Sequence, residues 1–202
     1  MLNKTVNSKP AINRLVIIGL GLIGSSLAAA AKQLGLAETV VGISRRSSTL
    51  ELALERGIID QACEGLKAIS SDLGPGDIVV IGVPTLTVPA VLKDCHELLN
   101  SQVTITDVAS VKGSVVDAAA QIYGKLPSQF VPGHPIAGSE KSGVTAADSS
   151  LFKDHRVILT PTETTKPLHF DAVSNLWIGV GAVVSSMAAE EHDEILAATS
   201  HL

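Results

Sequence analysis

The sequence predicts an α/β fold with a doubly wound, mostly parallel sheet. Three observations point there. Short apolar, β-branched runs alternate with helix-forming stretches along nearly the whole chain, the first such run opens directly onto a glycine-rich turn, and no repeat or low-complexity tract interrupts the pattern. Strands alternating with helices require crossover connections, and these place helices on both faces of a parallel sheet.

The elements follow in order. RLVIIG (14–19) is an apolar run ending in glycine, as a strand buried on both faces would be. LIGSSLAAAAKQLG (22–35) is alanine-rich and is stopped by Gly35, and ETVVGIS (38–44) is a second strand that completes a βαβ unit. The alternation continues with helix 48–56, a turn and strand near 58–63, strand 77–83, helix 86–100, strand 103–108, helix 112–124 and strand 130–132. Helix 143–151, strand 156–160, helix 167–179 and strand 182–186 complete it. From Ala188 the character changes: AAEEHDEILAATSHL carries acids in its first turns and no stop signal before Leu202, so the sequence is expected to end inside a helix. The expected organisation is a polar tail (1–13), a nucleotide-binding domain (14–188) and the start of a helical region (189–202).

Composition narrows the function. The 202 residues suffice for one α/β domain and part of a second, and 46% apolar against 17% charged residues indicates a packed core. With a net charge of −5 and no long basic run, the footprint for nucleic acid is missing. Cys63 and Cys95 form no C-x-x-C or Cys–His spacing, so neither a disulfide framework nor a metal site is expected. The first residues contain no apolar signal region and no run is long enough to span a bilayer, so a cytoplasmic protein with no membrane partner is the expectation.

Gly19-Leu20-Gly21-Leu22-Ile23-Gly24 is a G-x-G-x-x-G turn, after a strand and opening a helix, which is the setting of a dinucleotide-binding (Rossmann-type) site. The first glycine permits the tight turn, the second lets a pyrophosphate approach the backbone, and the third lets helix and strand pack closely. The helix N-terminus adds N–H donors and partial positive charge. At the end of the second strand, where an acid would accept hydrogen bonds from the ribose of NAD, stands Ser44, followed by Arg45, Arg46, Ser47 and Ser48. A carboxylate would repel a 2′-phosphate, whereas a serine hydroxyl and a guanidinium bind one, so NADP is favoured and NAD is the alternative. Val83, Pro84 and Thr85 follow a third strand at the same sheet edge and are expected to line the nicotinamide-side ribose pocket.

TDVASVKGS (106–114) and FVPGHPIAGSEKSG (130–143) put polar groups in turns at that edge. Together with the glycine turn, DVASVK (107–112), GHPIAGSE (133–140), LFKDHRVILTP (151–161) and EEHDEILAATSHL (190–202), they make the chain resemble the prephenate/arogenate (cyclohexadienyl) dehydrogenase family from Arg14 onward. The resemblance implies oxidative decarboxylation of prephenate or arogenate in tyrosine biosynthesis, with hydride passed to NADP and release of CO2. Removing the 4-hydroxyl proton as hydride departs builds a conjugated ketone, and loss of the ring carboxylate aromatises the ring.

In the family's pattern His134 accepts the hydroxyl proton, a task that suits a neutral imidazole near pH 7. Ser110 hydrogen-bonds the substrate hydroxyl and helps orient the histidine. Lys112, Ser139, Glu140 and His201 contact substrate or shape its pocket. Family members continue into a helical domain that makes a homodimer and supplies an arginine for the substrate carboxylate, and this sequence ends before it. Two alternatives stay open: a nucleotide-binding unit without catalysis of its own, and a β-hydroxyacid dehydrogenase or imine reductase, which shares the glycines and V-P-T but not DVASVK and GHPIAG.

Overall fold

The computed structural model describes residues 10–138 and 142–199. β1 (Ile12–Ile18), β2 (Ala37–Ile43), β3 (Gln61–Cys63), β4 (Ile78–Ile81), β5 (Thr104–Asp107) and β6 (Phe130–Val131) form a 6-stranded sheet in the order β3-β2-β1-β4-β5-β6. Every pairing in it is parallel. β1 starts at Ile12, inside the stretch expected to be tail, and Ile12 is buried.

The central strands are apolar at consecutive positions because both of their faces are covered. Leu15 and Ile17 of β1 and Ile78 and Val80 of β4 pack into one core layer, and Val16, Ile18, Val79 and Ile81 into the other. The first layer is closed by α1 (Leu22–Gln33), α2 (Ser47–Glu55) and α5 (Pro167–Gly179), through Leu27, Leu50 and Trp177 among others. The second is closed by α3 (Val88–Leu98) and α4 (Gly113–Tyr123), through Leu92 and Val115. This is the doubly wound arrangement that the alternating pattern requires. Alanines at 28, 30 and 31, all fully buried, let α1 lie close on the sheet.

Two segments depart from the expected pattern. Residues 143–151 do not form a helix: only a 3-10 turn, Val144–Ala146, is present. Gly143 enters it at φ +80°, and the Asp148 carboxylate accepts from both the N–H and the hydroxyl of Ser150, local bonds that compete with a helical ladder. Phe152, buried edge-on against Trp177 at 5.1 Å between ring centroids, anchors the chain just beyond this turn to the core.

The second departure is a separate 3-stranded sheet formed by β7 (Gly133–Pro135), β8 (Arg156–Leu159) and β9 (Val183–Ser186). β8 pairs with β7 antiparallel and with β9 parallel. Pro132 lacks an N–H to continue β6, and its carbonyl accepts the Thr160 N–H at 2.9 Å, so the chain changes sheets there. His134, expected in a turn, consequently sits on a strand opposite Ile158. α6 (Ala189–Thr199) follows β9. No helix among the described residues is long and apolar enough to cross a membrane.

Candidate active site

The strand order reverses between β1 and β4, and open α/β sheets hold ligands at such a switch point, beyond the carboxyl ends of the strands. A cleft of about 760 Å³ lies there, lined by residues 19–23 of the glycine turn, Ser44–Arg46 after β2, Val83–Thr85 after β4 and Ser110 after β5.

Each glycine of the turn has a different physical task. Gly19 adopts φ +101°, and a Cβ on it would fall 2.6 Å from the carbonyl oxygen of Gly82. A Cβ on Gly24 would overlap the carbonyl oxygen of Gly19, so the third glycine is what lets α1 sit against the turn. A Cβ on Gly21 would meet nothing within 4 Å, which leaves the backbone open at the N-cap of α1. No side chain caps that helix end, and its first turn holds no acid, so its N–H groups suit a pyrophosphate. The cradle fits a dinucleotide.

At the far end of the cleft Ser44 is half-buried and its Oγ accepts the Arg46 N–H at 3.2 Å. Arg45 and Arg46 are exposed, and α2 begins just beyond them with no side-chain cap and no acid in its first turn. Glu64 and Asp94 line the same cleft.

The second group of residues is built on the end of β5. The Asp107 carboxylate accepts the N–H of Ala109 at 2.9 Å and that of Gly133 at 3.3 Å, and pairs with the Lys112 ammonium at 2.5 Å. The Lys112 Nζ also donates to the Gly133 carbonyl at 2.6 Å. Both side chains are fully buried. Burial pulls the Lys112 pKa down, and the Asp107 carboxylate opposes that pull. Lys112, expected beside the substrate, therefore has no exposed surface and instead ties the Ser110 loop to the strand that carries His134.

His134 is half-buried, and its Nδ1 lies 2.9 Å from Nε2 of His192. The His192 Nδ1 in turn lies 2.7 Å from the Asp193 carboxylate, which accepts the N–H groups of Lys112 and Gly113 at the start of α4, each at 2.9 Å. Burial, then the neighbouring His192 and Lys112, lower the His134 pKa from 6.5 to about 4, with Asp193 opposing. His134 is thus a neutral imidazole at pH 7. Burial raises the Asp193 carboxyl, but the two backbone N–H bonds and His192 outweigh it and hold it below its ordinary value. Ser139, Glu140 and His201 lie outside the described residues.

A six-stranded parallel sheet in this order, with a glycine cradle at its switch point, defines a Rossmann-type nucleotide-binding domain. Residues 27–186 match the family described as prephenate dehydrogenase, nucleotide-binding domain, and the chain belongs to the prephenate dehydrogenase family. It is 37% identical to the prephenate dehydrogenase of Bacillus subtilis (strain 168) over 190 residues, 93% of this chain and 50% of that one. The structure of A. aeolicus prephenate dehydrogenase in complex with hydroxyphenyl propionate and NAD+ superposes with a TM-score of 0.83 at 34% identity, covering 91% of this chain and 63% of that one. Synechocystis arogenate dehydrogenase gives 0.84 at 31% identity, over 93% and 64% of the two chains. The chain spans about half the length of the curated B. subtilis relative.

Sequence reasoning did not single out Asp107, His192 or Asp193 as site residues. His192 is 58 positions from His134, and the two meet only because β7 leaves the main sheet. The available signal was the adjacent His-Asp pair at the start of an otherwise ordinary acidic helix.

Proposed function

We propose that this chain is the nucleotide-binding and proton-accepting part of a dehydrogenase that oxidatively decarboxylates prephenate or arogenate, with NADP as its cofactor. The observation that carries the reading is His134, a neutral imidazole held on a short strand beside the loop that brings Ser110 into the cofactor cleft. A bound nicotinamide would supply the hydride acceptor. His134 accepts the proton of the ring hydroxyl, and the exposed Ser110 hydroxyl orients that group. The half-burial of His134 limits competing water, and burial, with the repulsion of the Lys112 ammonium added to it, keeps the imidazole unprotonated and ready to accept.

NADP is supported by the arginines at the α2 entrance and by Ser44 in place of an acid. NAD is the alternative. A second reading is a nucleotide-binding unit without turnover of its own, favoured by the match of residues 27–186 to a nucleotide-binding domain.

The test supplies prephenate or arogenate with NADP or NAD, verifies cofactor binding by fluorescence, and follows nicotinamide reduction and CO2 release. Turnover with NADP and either substrate supports the first reading. Cofactor binding without turnover for any pair supports the second. His134→Asn is expected to remove turnover and leave cofactor affinity unchanged, and an equal loss of both overturns the assignment of His134.

A further inference from the structure

The His134–His192–Asp193 chain has a direction that its hydrogen bonds fix. Asp193 carries only acceptor oxygens, so the His192 Nδ1, 2.7 Å away, donates to it. In a neutral His192 the proton on Nδ1 leaves Nε2 as a lone pair, and Nε2 can only accept from the His134 Nδ1, 2.9 Å away. The His134 proton then sits on Nδ1, and its Nε2 is the free acceptor. A doubly protonated His192 would reverse this: it would donate to the His134 Nδ1, force the His134 proton onto Nε2 and leave no ring nitrogen able to take one.

The surroundings favour the first arrangement. Among the described residues, the charged groups bonded into this cluster are Asp193 on α6, Lys112 at the start of α4 and Asp107 at the end of β5. Lys112 is already a cation with no exposed surface, and the N-terminus of α4 adds partial positive charge beside Asp193. His192 is itself fully buried, and its Nδ1 has the Asp193 carboxylate as its acceptor.

We propose that His192 and Asp193 are positioning residues that hold His134 as its Nδ1–H tautomer, aim its Nε2 at the substrate hydroxyl, and stabilise the imidazolium formed when Nε2 takes the proton. This inference rests on the dehydrogenase reading for the identity of the proton donor. The step balances without another reactant. The hydroxyl proton goes to His134 Nε2, hydride goes to the nicotinamide, and the electron pair of the ring carboxylate bond moves through the ring to the 4-oxygen as CO2 leaves, so that this oxygen takes the proton back from His134. Asp193 stays ionised throughout, since two backbone N–H groups and His192 stabilise its charged form.

The tautomer can be read without substrate or cofactor, so this inference and the dehydrogenase reading can fail separately. In the 15N-labelled full chain at pH 7, long-range proton–nitrogen correlations, assigned through backbone-to-ring connectivity, report the state of each imidazole. The expected result is a neutral Nδ1–H form for both His134 and His192. A neutral Nε2–H His134, or a doubly protonated His192, overturns the relay whether or not turnover is found.

Two variants sharpen the test. His192→Gln keeps an acceptor oxygen for the His134 Nδ1–H and is expected to retain the tautomer, whereas His192→Phe removes the acceptor and is expected to release it. If turnover is found, His192→Phe should lower kcat by much of the ~10²–10⁴-fold that a positioned base supplies, leave KM nearly unchanged, and be partly rescued by glutamine. A folded His192→Phe with an unaltered His134 tautomer overturns the proposal. Should neither variant fold, the spectrum of the unaltered chain still decides.

Discussion

The ammonium of Lys112 lies 2.6 Å from the carbonyl oxygen of Gly133, so the residue after the Ser110 loop is bonded directly to the residue before His134. Asp107 completes the tie by accepting the N–H of Gly133 and pairing with the same ammonium. The DVASVK and GHP motifs are therefore two halves of one buried cluster. Among its polar side chains Asp107 and Lys112 are fully buried, whereas Ser110 is exposed and His134 half-buried.

That cluster makes a prediction about stability. Lys112→Met leaves the Asp107 carboxylate buried without its cation, and the loss of a buried partner costs about 3–5 kcal/mol. Asp107→Leu combined with Lys112→Met removes both charges and should cost less than the single change. Urea unfolding of the three proteins checks this. A single-variant loss below about 1 kcal/mol would mean that the pair is not bearing on the fold as its burial requires.

Arg45 tests the cofactor preference. On the NADP reading its exchange for alanine removes a charge-assisted bond to the 2′-phosphate, worth about 1.5–3 kcal/mol, so the NADP Kd should rise ~10–100-fold. The NAD Kd should barely move, since NAD has no phosphate there. Titration of each cofactor by fluorescence or calorimetry reads both, and an equal change in the two would refute the clamp.

Gly21 and Gly24 separate binding from folding. A methyl on Gly21 meets no protein atom within 4 Å, so Gly21→Ala should fold with nearly unchanged stability but obstruct the pyrophosphate. On Gly24 the same methyl runs into the Gly19 carbonyl, so Gly24→Ala should lower the melting temperature as well as cofactor affinity. Thermal melts with and without NADP distinguish the two, and identical melting temperatures for both variants would contradict the geometry.

The parts of this fold legible in the sequence are those that depend on local signals. A strand buried on both faces reads as an apolar run, and β1 and β4 did; a glycine turn reads from spacing, and residues 19–24 take the geometry that the spacing demands. The segment 143–151 has helix-forming residues, but bonds from Asp148 and the burial of Phe152 prevail over that propensity. β7 is 3 residues long and exists by pairing with β8, more than twenty positions away, so no local pattern announces it. The His134–His192 contact depends on that pairing and was hidden with it. Lys112 illustrates the reverse limit: a lysine in a polar loop beside Ser110 reads as a substrate contact, whereas the proximity of Asp107 and Gly133 turns it inward.

The burial of His134 should also appear in the pH dependence of stability. Its folded pKa of about 4 lies below the ordinary 6.5, so between those values the unfolded chain binds the proton more readily than the folded one. Stability is therefore full above about pH 6.5 and falls as the pH drops towards 4. Burial and then Lys166 lower His169 as well, against the Ser101 backbone, so it contributes with the same sign in the acid direction. Asp193 acts elsewhere: its lowered carboxyl stabilises the fold above its ordinary 3.8 and loses that contribution only at more acid pH. His134→Asn should accordingly flatten, without abolishing, the decline between pH 7 and 5, by about 1 kcal/mol after allowance for the partial exposure of the ring. Urea unfolding of both proteins at those two pH values measures the slope. A variant that declines as steeply as the unaltered chain would show that His134 is protonated as readily in the fold as out of it, and would remove the neutral acceptor on which the catalytic reading depends.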